Sequence, residues 1–158
     1  VCTLVCASCS KTVKFTRSDL VRNRAAVMRT EAAGFRKDAR EKDILIARIE
    51  QQALAFERGI KVRTEMLDSA EAAVDEAITR LASAPAEDRL PLESTLEHYK
   101  SKSRAVEAAI YGERIRLREC HDTLAGLKRD RDILLREAEA SDSKADEYQM
   151  IAADLDAG

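Results

Sequence analysis

Tryptophan is absent from this chain of 158 residues, aromatics make up only 4% of it, and there are just 5 glycines and 2 prolines. A compact core of this size normally leans on large aromatic side chains, so their scarcity argues against a conventional globular interior. The shortage of turn-formers excludes a fold of many short elements. No apolar run approaches the ~18 residues that cross a bilayer, and Val1–Ala7 is too short for the apolar stretch of a secretion signal. A net charge of -2 gives no overall field that would gather nucleic acid or an anionic membrane. Catalytic signatures are missing too. The two histidines, His98 and His121, sit at different heptad positions, and there is no glycine-rich phosphate loop, GxSxG, HExxH or nucleophile with an evident base. The expectation is a protein without enzymatic activity.

What the chain does hold is 45% hydrophobic and 35% charged residues in a strict period. Steps of four and three from Val21 meet Ala25, Met28, Ala32, Phe35 and Ala39, and continue apolar to Leu81 except at Lys42 and Arg63. Such a seam, sustained over roughly nine heptads, predicts a coiled-coil helix over about 16–82. Thr16 is its N-cap and Asp19 its N3 carboxylate, with Phe15 and Leu20 flanking as a hydrophobic staple. The stretch SAPAEDRLPL, with Pro85 and Pro91, then interrupts helix and predicts a turn over about 83–91. A second seam runs from Leu92 to Leu155, broken by Ser103, Glu113, Arg131 and Ser141, and predicts a helix over about 92–156.

Two seams of nearly equal length joined by one short turn predict an all-α fold, a long antiparallel coiled-coil hairpin over residues 16–158 behind a cysteine-containing segment, 1–15. A parallel homodimer would instead set Arg63 on Arg63 and Glu113 on Glu113. Folding back brings the alanines of both ends together with larger partners. Two registers do this. The one favoured from sequence sets Met28 against Ala152, Ala32 against Tyr148 and Phe35 against Ala145. A register one heptad tighter sets Leu81 against Leu92, but puts Lys42 opposite Arg131, a like-charge contact. In both, Arg63 and Glu113 fall in adjacent layers, where they either pair within the seam or each reach out to water.

Positions flanking the seams are mostly charged. Leu45, Met66, Ile78, Leu135 and Ile151 are not, and are the candidate interface for a protein partner or for self-association.

Cys2, Cys6, Cys9 and Cys120 do not make the spread framework of a secreted disulfide domain, which points to an intracellular, reducing compartment, cytoplasmic or nuclear. Cys6 and Cys9 form C-A-S-C, half of a structural zinc site, with Cys2 as a third thiol. One zinc, unmetallated thiols and a disulfide are all open. Cys120 lies on the seam and reads as a small buried hydrophobe. The basic stretch Lys11, Lys14, Arg17, Arg22, Arg24 and Arg29 makes a zinc-assisted nucleic-acid contact, or a regulatory adaptor role for the cysteine segment, the alternative to protein binding through the helices.

The run LVCASC, a short spacer and a long coil beginning near Leu20 resemble the N-terminal region of the UVRAG-like and autophagy-specific subunits of the class III phosphatidylinositol 3-kinase complex. In that family cysteine pairs precede a coil that pairs in parallel with a second subunit. Cys6 and Cys9 match the second pair, while the first is represented only by Cys2. The resemblance covers roughly thirty residues and implies a protein partner for the coil, in an orientation that departs from the hairpin. The expected function is a non-enzymatic interaction module, a structural or scaffold subunit of a larger assembly.

Overall fold

Two long helices make up nearly all of the described chain: α1 spans Arg17–Ser83 and α2 spans Arg89–Ala157. The structure is a computed structural model that describes residues 2–4 and 13–157, and of residues 2–4 and 13–15 the backbone alone. The architecture is the all-α helical hairpin expected from the two seams. An antiparallel ribbon precedes it, with β1 (Cys2–Leu4) paired to β2 (Val13–Phe15) so that Cys2 lies opposite Phe15 and Leu4 opposite Val13. The sequence reading assigned no strand there. Three residues a side fall short of the four to eight over which alternation can be read.

Helix α1 begins on a reciprocal cap. The Asp19 backbone N–H donates to Thr16 Oγ1 at 3.2 Å, and the Asp19 carboxylate accepts from the Thr16 backbone N–H at 2.9 Å and from its hydroxyl at 2.7 Å. This is the capping box with Asp in place of the usual Glu or Gln. The Phe15 side chain of the expected staple lies outside the described residues. At the other end of α1, the Ser83 hydroxyl donates to the carbonyls of Thr79 and Arg80, and a single 3-10 turn at Ala86–Asp88 follows Pro85. Helix α2 then starts at Arg89, three residues before the expected Leu92. Pro91 therefore sits in the first helical turn, where an N–H would have no partner anyway and its absence costs little.

The hairpin divides into two units: residues up to Ile46 with those from Gly126 on, and Ala47–Ala125. In the first, Ala25, Ala32, Ala39 and Ile46 of α1 and Ala138, Ala145 and Ala152 of α2 are buried, each set recurring every seven residues. Alanine at every seventh position lets two backbones approach closely, and the partly buried Met28, Phe35 and Tyr148 close the sides. In the second unit the buried residues are Ala53, Ala70 and Ala77 of α1 with Leu96, Ile110 and Leu124 of α2. Apart from Leu155, every residue of both seams is buried or partly buried. The first seam also extends one turn further back, to Ser18, which is buried.

The register is the tighter of the two, which corrects the one favoured from sequence. Lys42 Nζ lies 3.4 Å from Asp130, and Arg131 Nη1 lies 3.3 Å from Asp43. Were Met28 level with Ala152, Lys42 and Asp130 would be offset by about 12 Å along the helices, too far to meet. The like-charge contact that argued against this register is relieved locally. Each cation takes the carboxylate next to its opposite number, and Arg131 takes Asp132 as well, at 2.7 Å.

Candidate interaction surface

Along one edge of the first unit, Arg22, Arg29 and Arg36 recur every seven residues on α1. They meet Asp156, Gln149 and Asp142, which recur every seven residues on α2. Arg29 donates to Gln149 Oε1 at 2.8 Å and also lies 3.4 Å from Asp146. Exposed pairs of this kind contribute about 0–1 kcal/mol each, and their regular spacing favours one antiparallel alignment. Two of the cations counted in the basic stretch, Arg22 and Arg29, are thus already taken by α2.

In the second unit Arg63 and Glu113 do come together, with Arg63 Nη1 donating to Glu113 Oε1 at 2.6 Å. The Glu113 side chain is 16% exposed and that of Arg63 39% exposed, so the carboxylate is the buried partner. Glu113 Oε2 is buried without a hydrogen-bond partner. Both carboxylate oxygens stand 2.9 Å from where a Cβ of residue 59 would be, so glycine there makes room for the pair.

Beside this pair the second unit carries a groove of ≈ 660 Å³. It is lined by Gly59, Val62, Arg63 and Met66 of α1 and Ala105, Val106 and Ala109 of α2, with the exposed Arg58 and Lys102 at its margins. A second hollow sharing Val62, Met66 and Lys102 prolongs it toward Ala73 and Tyr99, and Glu65 borders that part. Of the candidate interface residues, only Met66 lines it. Leu45, Met66, Ile78, Leu135 and Ile151 are 44%, 49%, 46%, 40% and 47% exposed, so the hairpin covers none of them. Leu54, Val62, Tyr111 and Ile115 are further exposed apolar residues that sequence reasoning passed over. For the groove the available signal was the small or apolar set Gly59, Val62 and Met66 on α1 with Ala105 and Ala109 on α2, at positions beside the seams.

Cys6 and Cys9, and the side chain of Cys2, lie outside the described residues, so the candidate zinc half-site is not located. Among the described residues no three His, Cys, Asp or Glu side chains are grouped to hold a metal ion. Cys120 is free and partly buried on the α2 seam, and the His98 ring rests against Tyr99 with centroids 5.9 Å apart. Among the described residues no helix is long and apolar enough to cross a membrane.

Neither family models, curated proteins nor solved structures give a significant match. Function has to be argued from the surface itself.

Proposed function

We propose that this chain is a non-enzymatic protein–protein interaction module, a structural or scaffold component that binds through the flanks of its helices. One observation carries this reading: the helices complete their own seams yet leave large apolar side chains at flanking positions about half exposed. Folding leaves roughly half of Met66, Ile78 and Leu135 in water, whereas a docked helix or second protein would bury the remainder. The likeness to class III phosphatidylinositol 3-kinase subunits also points to a protein partner, although in those proteins the seam itself is the pairing surface. Here α2 occupies the α1 seam, which leaves the flanks for a partner.

A photo-crosslinking residue placed in turn at Leu45, Met66, Ile78, Leu135 and Ile151, in cells that express the chain, tests this. Discrete adducts to a protein, foreign or a second copy, are expected from these positions and not from the exposed polar positions Arg118 and Glu139. Equal labelling at both sets, or none at either, would contradict the interaction reading.

A further inference from the structure

We propose that the groove of the second unit seats an amphipathic helix of another protein whose apolar ridge is flanked by carboxylates. The inference rests on the interaction-module reading and adds the chemistry of the partner. Three observations lead to it.

The first is shape. The groove is a concave channel between two helices, lined by glycine, alanine and valine, the flexible Met66 and the Glu113-paired Arg63. Small residues let a third backbone approach, and a methionine adapts to the ridge that enters. In the observed register Lys102 stands level with Glu71, which places it thirteen residues beyond Arg58 along α1, on the opposite rim. That separation is about 20 Å, the length of a helix of three to four turns. A flat bilayer surface would not follow such a channel, whereas a helix ridge fills it.

The second is charge. Among the described residues neither Arg58 nor Lys102 has a carboxylate partner, whereas Arg63, which also lines the groove, holds Glu113. Glu65 borders the prolongation between them and Glu113 is taken up by Arg63, which leaves Arg58 and Lys102 as an excess of positive charge. A partner helix with an Asp or Glu near each end, on opposite flanks of its apolar ridge, meets both cations at once.

The third concerns a second copy, whose same face carries Arg58 and Lys102 against the single Glu65. Two such faces bring together more cations than acids, so self-pairing through this groove is disfavoured.

The test is binding of the full chain to a synthetic helical peptide of about 15 residues with a Leu/Ala ridge. One version carries Glu on its flanks and one carries Lys. The Glu version is expected to bind at least about tenfold more tightly than the Lys version. The Met66→Glu variant is expected to abolish binding of the Glu version. The double variant Arg58→Glu with Lys102→Glu is expected to reverse the preference and take the Lys version instead. All three substituted residues are exposed, and circular dichroism with unchanged helicity confirms that each variant is folded. Equal affinity for both peptides, no binding of either, or insensitivity to Met66→Glu would overturn the inference. So would binding of the chain to phosphatidylserine vesicles with no binding to the Glu peptide, or self-association lost in the same variants. The crosslinking experiment above is independent of the peptide's charge, so acid selectivity can fail while the interaction reading stands.

Discussion

Glycine in a helix interior costs about 1 kcal/mol against alanine, and the glycines of this hairpin differ in what surrounds them. A Cβ added at Gly34 or Gly126 meets nothing within 4 Å. Gly34→Ala and Gly126→Ala are each expected to stabilise the protein by roughly 0.5–1 kcal/mol in urea unfolding, a shift of about 2–4 °C in Tm. Gly59→Ala is expected to forfeit that gain, because its Cβ would stand 2.9 Å from both oxygens of Glu113. The Arg63–Glu113 pair has its own asymmetry. Arg63→Met leaves a buried carboxylate with neither oxygen paired, and is expected to cost about 1–3 kcal/mol. Adding Glu113→Leu to that variant should recover most of the loss, since an apolar pair needs no partner. At the start of α1, the hydroxyl of Thr16, then its backbone N–H, hold the Asp19 carboxyl below the usual range. The folded state thus prefers the ionised form. The cap's contribution is present above the ordinary carboxyl value and is lost as pH falls through the lowered one. The protection of the Asp19 and Leu20 amides, measured as exchange relative to the intrinsic rate at each pH, should fall on acidification below about pH 4, and Asp19→Asn should remove that dependence.

Helix scale is where sequence and structure agree most and where they part. The heptad steps located both helices to within about three residues, because an apolar seam sustained this long leaves no competing period. The steps that broke the pattern carried the rest. Lys42 and Arg131 were read as repelling each other, which favoured the looser register. A pairwise view of the seam omits Asp43 and Asp130, which stand one residue outside it and neutralise both cations. Removing those two carboxylates, Asp43→Asn with Asp130→Asn, is expected to lower the urea midpoint. The deficit should shrink as salt is raised from about 0.1 M to about 1 M, where the screening length falls from ~10 Å to ~3 Å. Pro91 misled in the same way: read as a breaker, it is accepted in the first turn of α2. The groove was only half legible. Met66 stood out as an apolar residue among charges, but Gly59, Ala105 and Ala109 gain meaning only once the register sets them side by side.

For the molecule as a whole, one chain supplies both sides of its own coil, and that determines what is left to bind. If the α1 seam were open, a partner coil could occupy it; because α2 fills it, the proposed recognition is assigned to the flanks and to the groove between the helices. That account stands or falls on the tight antiparallel pairing, and the native cysteine in the α2 seam allows a direct test. In a chain with Cys2, Cys6 and Cys9 replaced by Ser, the observed register places Ala53, 5% exposed, in the layer of Cys120. The looser register would put Ile60 there instead. The measurement is the mass of each oxidised variant under denaturing, non-reducing conditions. The account predicts an intramolecular disulfide, at the mass of one chain, for Ala53→Cys and none for Ile60→Cys. A disulfide from Ile60→Cys, or crosslinks only between chains, would contradict it.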